Sequence, residues 1–182
     1  MKTTFKQEYE ELKKAETLHK HPATGHQYEL RWGMLDKFKS PSSASQLEKA
    51  IKKFLLMKGH QAAITEVRGT FIPPEFLDTA MGRIETKKGR YIKSGSTLGQ
   101  ADVSSSIFGV AVHWEVKFSK SDRQSKEQRK FEKLVLQAGG FYFIVRTVDD
   151  FYDKYYALLD HPRVVLMRDY EENNGTPSLP MS

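Results

Sequence analysis

Asp102, Glu115, Lys117 and Gln128 are the residues whose types and spacing can do chemistry in this chain. Glu115 and Lys117 lie one residue apart in the stretch 108–118. There Phe108, Val110, Val112, Trp114, Val116 and Phe118 alternate with Gly109, Ala111, His113, Glu115 and Lys117. Successive strand residues point to opposite faces, so this alternation predicts a strand with one apolar face on the core. His113, Glu115 and Lys117 share the other face. Asp102 precedes it, and Ser104, Ser105 and Ser106 read as a turn in between. Two carboxylates on neighbouring segments suit a hard divalent cation, and Mg²⁺ needs only one or two carboxylates beside water and substrate phosphate. A lysine next to them can hold the attacking water or neutralise charge on a phosphate in transfer. A bare Glu-x-Lys pair is also what an ordinary solvated strand face carries, so its weight comes from its surroundings.

The elements that must position these groups can be read on either side. Ser45-Gln46-Leu47-Glu48 matches a capping box opening a helix, with Leu47, Ala50, Ile51, Phe54 and Leu55 inward and Gly59 at its end. Glu48 falls at the edge of that stripe, where its carboxylate can cap the backbone, serve an acidic site, or both. Residues 62–67 and 69–72 predict a strand broken by Pro73-Pro74, and 75–82 a short helix or loop. Arg83-Ile84-Glu85 and Arg90-Tyr91-Ile92 read as a hairpin with Lys87, Lys88 and Gly89 at a basic tip. Glu66 and Glu85 are reserve carboxylates. A helix is expected up to about Ala138, burying Phe131, Leu134, Val135 and Ala138, with Gln128 in its first turn. Phe141 to Val145 then suits a strand buried on both faces. A last helix carries Phe151, Tyr155 and Leu158, and Val164 to Met167 reads as an edge strand. The division expected is an N-terminal extension over 1–44, a single α/β domain over 45–170, and an unstructured tail over 171–182. The extension should hold a peripheral helix with a thin stripe of Phe5, Tyr9 and Leu12.

The 182 residues are 38% hydrophobic and 29% charged, which suits a soluble globular protein. No apolar run approaches the length of a membrane span, and the N-terminus lacks the apolar core of a secretory signal. The absence of Cys excludes disulfides and thiolate zinc sites. A cytoplasmic location follows as the expectation. His19, His21 and His26 sit in a polar, loop-rich context and read as surface residues, and no Ser, His and Asp stand in a recognisable nucleophilic arrangement. The net charge of +6 favours polyanions. Its placement says more: Lys120, Arg123, Lys126, Arg129, Lys130 and Lys133 follow Lys117, and Lys87, Lys88 and Arg90 precede Asp102. With Ser125, Lys87, Lys88, Arg90, Lys120, Arg123, Lys126, Arg129 and Lys130 are the candidate contacts to nucleic-acid phosphates.

In order and spacing, Asp102, Glu115-Val116-Lys117 and Gln128 resemble the D…ExK…Q pattern of the PD-(D/E)XK nuclease superfamily. The nearest likeness is to its VRR-NUC branch, the virus-type replication-repair nucleases. That branch typically shows a helical Glu, a β-rich segment, G-x-x-D, E-x-K, a basic S-x-x-Q helix, and Gly before a buried strand. Here these are Glu48, Gly99 to Asp102, Glu115 to Lys117, Ser125 to Gln128, and Gly139-Gly140 before 141–145. The likeness spans roughly residues 45 to 147, with Ala101 where the superfamily's name has Pro. The resemblance implies a restriction-endonuclease-like mixed sheet flanked by helices. It implies catalysis by Glu48, Asp102, Glu115, Lys117 and Gln128, with Mg²⁺ or Mn²⁺ held by Asp102, Glu115, Glu48 and the Val116 carbonyl. It further implies hydrolysis of DNA by a homodimer, with branched DNA of replication, recombination or repair as substrate, as in Holliday-junction resolvases. The other reading is a nucleic-acid-binding module without catalysis. The acidic pair opposes it, because carboxylates on a phosphate-binding face repel the ligand unless a cation intervenes.

Overall fold

The computed structural model describes residues 3–20, 37–65, 70–79, 82–92 and 99–174. Glu66, His21, His26 and the segment 175–182 lie outside the described residues. The elements run α1 (Phe5–Lys20), α2 (Ala44–Met57), β1 (Gln61–Ile64), β2 (Thr70–Ile72), β3 (Glu75–Thr79), β4 (Gly82–Lys87), β5 (Arg90–Ile92), β6 (Val103–Ile107) and β7 (Val110–Val116). Then follow α3 (Lys126–Gln137), β8 (Phe141–Val145), α4 (Val148–Leu159) and α5 (Pro162–Asn174).

The main sheet has the order β1-β6-β7-β8. Its first two pairings are antiparallel, and β7 pairs with β8 in parallel. A parallel pair needs a crossover, and α3 provides it. Strand alternation then sorts the side chains into two layers. Val110, Val112, Trp114 and Val116 join Phe5, Leu47, Ile51, Phe54, Phe151 and Tyr155 in the main core, formed with α1, α2 and α4. On the opposite face, Ala101, Tyr142 and Ile144 meet Phe131 and Val135 of α3. The architecture is therefore α/β, with a mixed sheet covered by helices on both faces. Among the described residues no helix is long and apolar enough to cross a membrane.

Several local expectations are corrected. Ser104 to Ser106 is strand, not turn: the Ser105 hydroxyl donates to the Val112 carbonyl (3.0 Å) and accepts from the Trp114 indole N–H (2.9 Å). These bonds outweigh the weak strand preference of serine. The reversal falls instead at Phe108-Gly109, both at positive φ (47° and 72°), as a two-residue hairpin requires. The strand consequently covers 110–116, and Phe118 lies exposed beyond it. Residues 75–79 form a strand rather than a helix or loop. Arg83 to Glu85 pair with it, while Arg90 to Ile92 pair with β2. The expected hairpin between 83–85 and 90–92 does not form.

Helix α2 begins at Ala44 because Ser43, not Ser45, is its cap: the Ser43 side chain accepts from Gln46 N–H. Gln46 in turn accepts from the Ser42 N–H, the reciprocal bond that the Ser45 capping box would have assigned to Glu48. Val164 to Met167 are helical, with Pro162 in the first turn, where its missing N–H costs nothing, and Val164 buried. The helix continues to Asn174 and so takes in the start of the segment expected to be unstructured. In α3, Val135 is buried, but Leu134 is 62% exposed and Ala138 is also exposed. Helix α1 docks on the outside of the domain through its thin stripe of Phe5, Tyr9 and Leu12. Phe5 is fully buried among the rings of Tyr9, Phe38, Phe54, Phe151 and Tyr152. Beside it, the Glu8 carboxylate accepts from the Tyr152 hydroxyl (2.6 Å), the Tyr156 hydroxyl (2.7 Å) and Lys58 (3.0 Å).

Candidate active site around Glu115

The site forms where β6 and β7 meet the first turn of α3. Glu115 sits near the end of β7 and is fully buried. Register places Val103 opposite Trp114, so Asp102, one residue earlier, stands across from Glu115. The Asp102 side chain is fixed by the Val116 N–H, which donates to its Oδ2 at 2.7 Å. Lys117 Nζ lies 2.6 Å from Glu115 Oε1 and 3.0 Å from Gln128 Oε1. The Gln128 amide also donates to Glu115 Oε1.

Gln128 is held by its own helix. Ser125 caps α3, accepting from Gln128 N–H at 3.1 Å, and the Gln128 side chain accepts from Ser125 N–H at 2.8 Å. One amide thus closes the capping box and touches both charged residues. The turn itself is wedged against Gly99, whose φ is +84°. A Cβ there would lie 2.3 Å from the Glu127 carbonyl carbon and 2.7 Å from the Gln128 nitrogen. Only glycine permits this approach.

Burial pushes the Asp102 carboxyl above its usual range, against the Val116 N–H and the Lys117 charge, which favour the anion. Glu115 is raised too, first by burial and also by repulsion from Asp102, while Lys117 and Tyr142 oppose the rise. A carboxylate whose ionisation is opposed by burial and by a neighbouring carboxylate is the electrostatic condition a divalent cation relieves. Among the described residues every buried side-chain nitrogen or oxygen has a partner. Asp102 is half-buried, and its recorded hydrogen bond falls on Oδ2. The donor set fits a hard cation that keeps several waters. It is smaller than the expected one. Among the described residues no group of three or more His, Asp or Glu is placed to hold a metal. Asp102 and Glu115 come together, and Glu48, half-buried on α2, is not gathered with them.

His113 shares the face of Glu115. Its Nδ1 lies 3.0 Å from the Ser104 hydroxyl, its ring meets Phe131 edge-on, and burial holds its pKa below the usual value. Around the site Lys120, Arg123, Ser125, Lys126, Arg129 and Lys130 are all exposed. Lys87 and Lys88 are exposed as well, Lys87 pairing with Glu75 at 2.9 Å. The Arg90 backbone is in β5, and its side chain lies outside the described residues.

Two residues of the site were missed by sequence reasoning. The Tyr142 hydroxyl donates to Glu115 Oε2 at 3.1 Å. Its signal was a polar tip inside the apolar run 141–145. Arg146 donates to the carbonyls of Lys117 (3.2 Å) and Ser119 (2.8 Å), tying down the chain that leaves β7. Nothing in its sequence context marks it. Compared with known proteins, the chain matches no family model, no curated protein and no solved structure.

Proposed function

We propose that this chain is a metal-dependent phosphodiesterase acting on DNA. The observation that carries the reading is the buried Glu115 facing the half-buried Asp102, joined to Lys117 and bordered by the exposed basic turn of α3. Asp102 and Glu115, with the Val116 carbonyl as a third donor, would hold Mg²⁺ or Mn²⁺. When bound, such an ion polarises a phosphoryl oxygen and lowers the pKa of water. Lys117 orients the attacking water or neutralises charge building on the phosphate. Gln128 holds both Glu115 and Lys117 in place, and Gly99 holds Gln128. The exposed Lys120, Arg123, Lys126, Arg129 and Lys130 give the sequence-independent attraction that a backbone-reading enzyme needs. No covalent intermediate is required. Glu48 enters this reading only through the resemblance, as do a restriction-endonuclease-like core, branched DNA as substrate and a two-fold pair of chains presenting two sites.

One observation favours a second reading, a nucleic-acid-binding module without catalysis. Glu115 is already satisfied by Gln128, Lys117 and Tyr142, so the cluster is stable without a cation. The two are separated by offering labelled four-way junction, flap, duplex and single-stranded DNA with Mg²⁺, Mn²⁺ or EDTA. Cleavage lost in EDTA, in Asp102→Ala and in Lys117→Ala establishes the nuclease. DNA binding without cleavage, alike in all three proteins, establishes the binding module.

A further inference from the structure

An ionised carboxylate accepts roughly four hydrogen bonds, two on each oxygen. On Glu115, Oε1 takes both the Gln128 amide and the Lys117 ammonium, and Oε2 takes the Tyr142 hydroxyl. One acceptor position on Oε2 is left among the described residues. Asp102 stands across the β6–β7 pair from Glu115.

We propose that Tyr142 is a positioning residue for divalent-cation binding, holding the Glu115 carboxylate in the one orientation that leaves this position available. The inference rests on the metal-dependent reading above and adds to it a residue from a different strand. Three features make the hydroxyl more than filling. Tyr142 lies opposite His113 in the parallel β7–β8 register, which makes it the diagonal neighbour of Glu115. Its ring is buried with Ala101, Val135 and Phe131, in a packing environment that phenylalanine would satisfy equally. And its bond is independent of the capping box. Lys117 and Gln128 are tied to each other, so any movement of α3 shifts both, whereas Tyr142 is anchored in the sheet. Donors that orient a ligating carboxylate are the groups whose loss weakens metal binding without removing a ligand.

The test is Mn²⁺ binding by calorimetry and by the EPR signal of free Mn²⁺. Wild type, Tyr142→Phe, Phe131→Leu and Glu115→Gln are compared, each also melted in EDTA. Tyr142→Phe keeps the ring and its packing and is expected to bind Mn²⁺ about 10–100-fold more weakly. Phe131→Leu loosens the same packing but spares the hydroxyl, and is expected to melt earlier with wild-type affinity. Glu115→Gln is expected to lose binding. If Tyr142→Phe binds like wild type, or if Phe131→Leu weakens binding as much, Tyr142 is only structural and the proposal is overturned. If wild type itself binds no Mn²⁺, or Glu115→Gln binds equally well, the metal reading fails and takes the proposal with it.

Discussion

Replacing Gly99 by alanine tests the wedge that seats α3. The new Cβ would stand 2.3 Å from the Glu127 carbonyl carbon, 2.5 Å from its oxygen and 2.7 Å from the Gln128 nitrogen. Carbon atoms settle at about 3.5 Å or more, so roughly 1 Å of space must open. The opposing atoms are all backbone and cannot swing aside. Either the Gly99 segment retreats or the first turn of α3 moves, and that turn carries Gln128 onto Glu115 and Lys117. A φ of +84° adds about 1–2 kcal/mol of strain for any residue with a Cβ. A misplacement of about 1 Å in a positioning group can cost on the order of 100-fold in turnover. The control is Gly59→Ala, where φ is +82° and nothing lies within 4 Å of the added carbon. Urea unfolding and metal-dependent DNA cleavage are measured on both. Both variants should lose stability, and only Gly99→Ala should lose turnover. Equal turnover in the two would refute the idea that Gly99 places Gln128.

The remaining predictions concern the main core. His60 is buried against Tyr155, 2.8 Å from its hydroxyl, and burial, with repulsion from Lys58, lowers its pKa from 6.5 to about 4. The unfolded chain then takes up a proton that the folded chain refuses, so stability falls as pH drops from 6.5 towards 4. The full loss is about 3 kcal/mol, of which about 2 kcal/mol should show by pH 5. Urea unfolding at pH 7, 6 and 5 checks it, and a slope unchanged in His60→Gln would assign the effect elsewhere. Burial alone would raise the Glu8 carboxyl, but the bonds from Tyr152, Tyr156 and Lys58 outweigh it and hold the pKa below 4.5. Its contribution is present above that value and is lost as pH falls through the lowered one. Glu8→Gln should cost about 1–3 kcal/mol at pH 7. A wild-type melting curve for that variant would show that α1 is held by its rings alone.

The alternating run around Trp114 was legible because one face had to be apolar, and the helical spacing from Phe131 to Val135 marked the helix that carries Gln128 in its first turn. Both are local signals. What escaped was decided at a distance. Ser104 to Ser106 look like a turn until a tryptophan indole from the next strand gives Ser105 a partner. Val164 and Val165 suggest a strand, yet Pro162 in a first turn and the burial of Val164 make them helical. Three serines precede α2, and the reciprocal bond of Gln46 selects Ser43. In the site, Asp102, Glu115, Lys117 and Gln128 were readable as types at intervals. Tyr142 was not, because its role depends on strand β8 lying parallel to β7 in one register.

The burial of Phe5 sets a schedule for synthesis. Its partners Phe54 and Phe151 come from widely separated parts of the chain. At about 5–20 residues per second, roughly 7–30 s pass between the emergence of Phe5 and that of Phe151. During that interval the apolar stripe of Phe5, Tyr9 and Leu12 has no completed core to enter. The nascent chain therefore presents its first helix to chaperones before the domain can close over it.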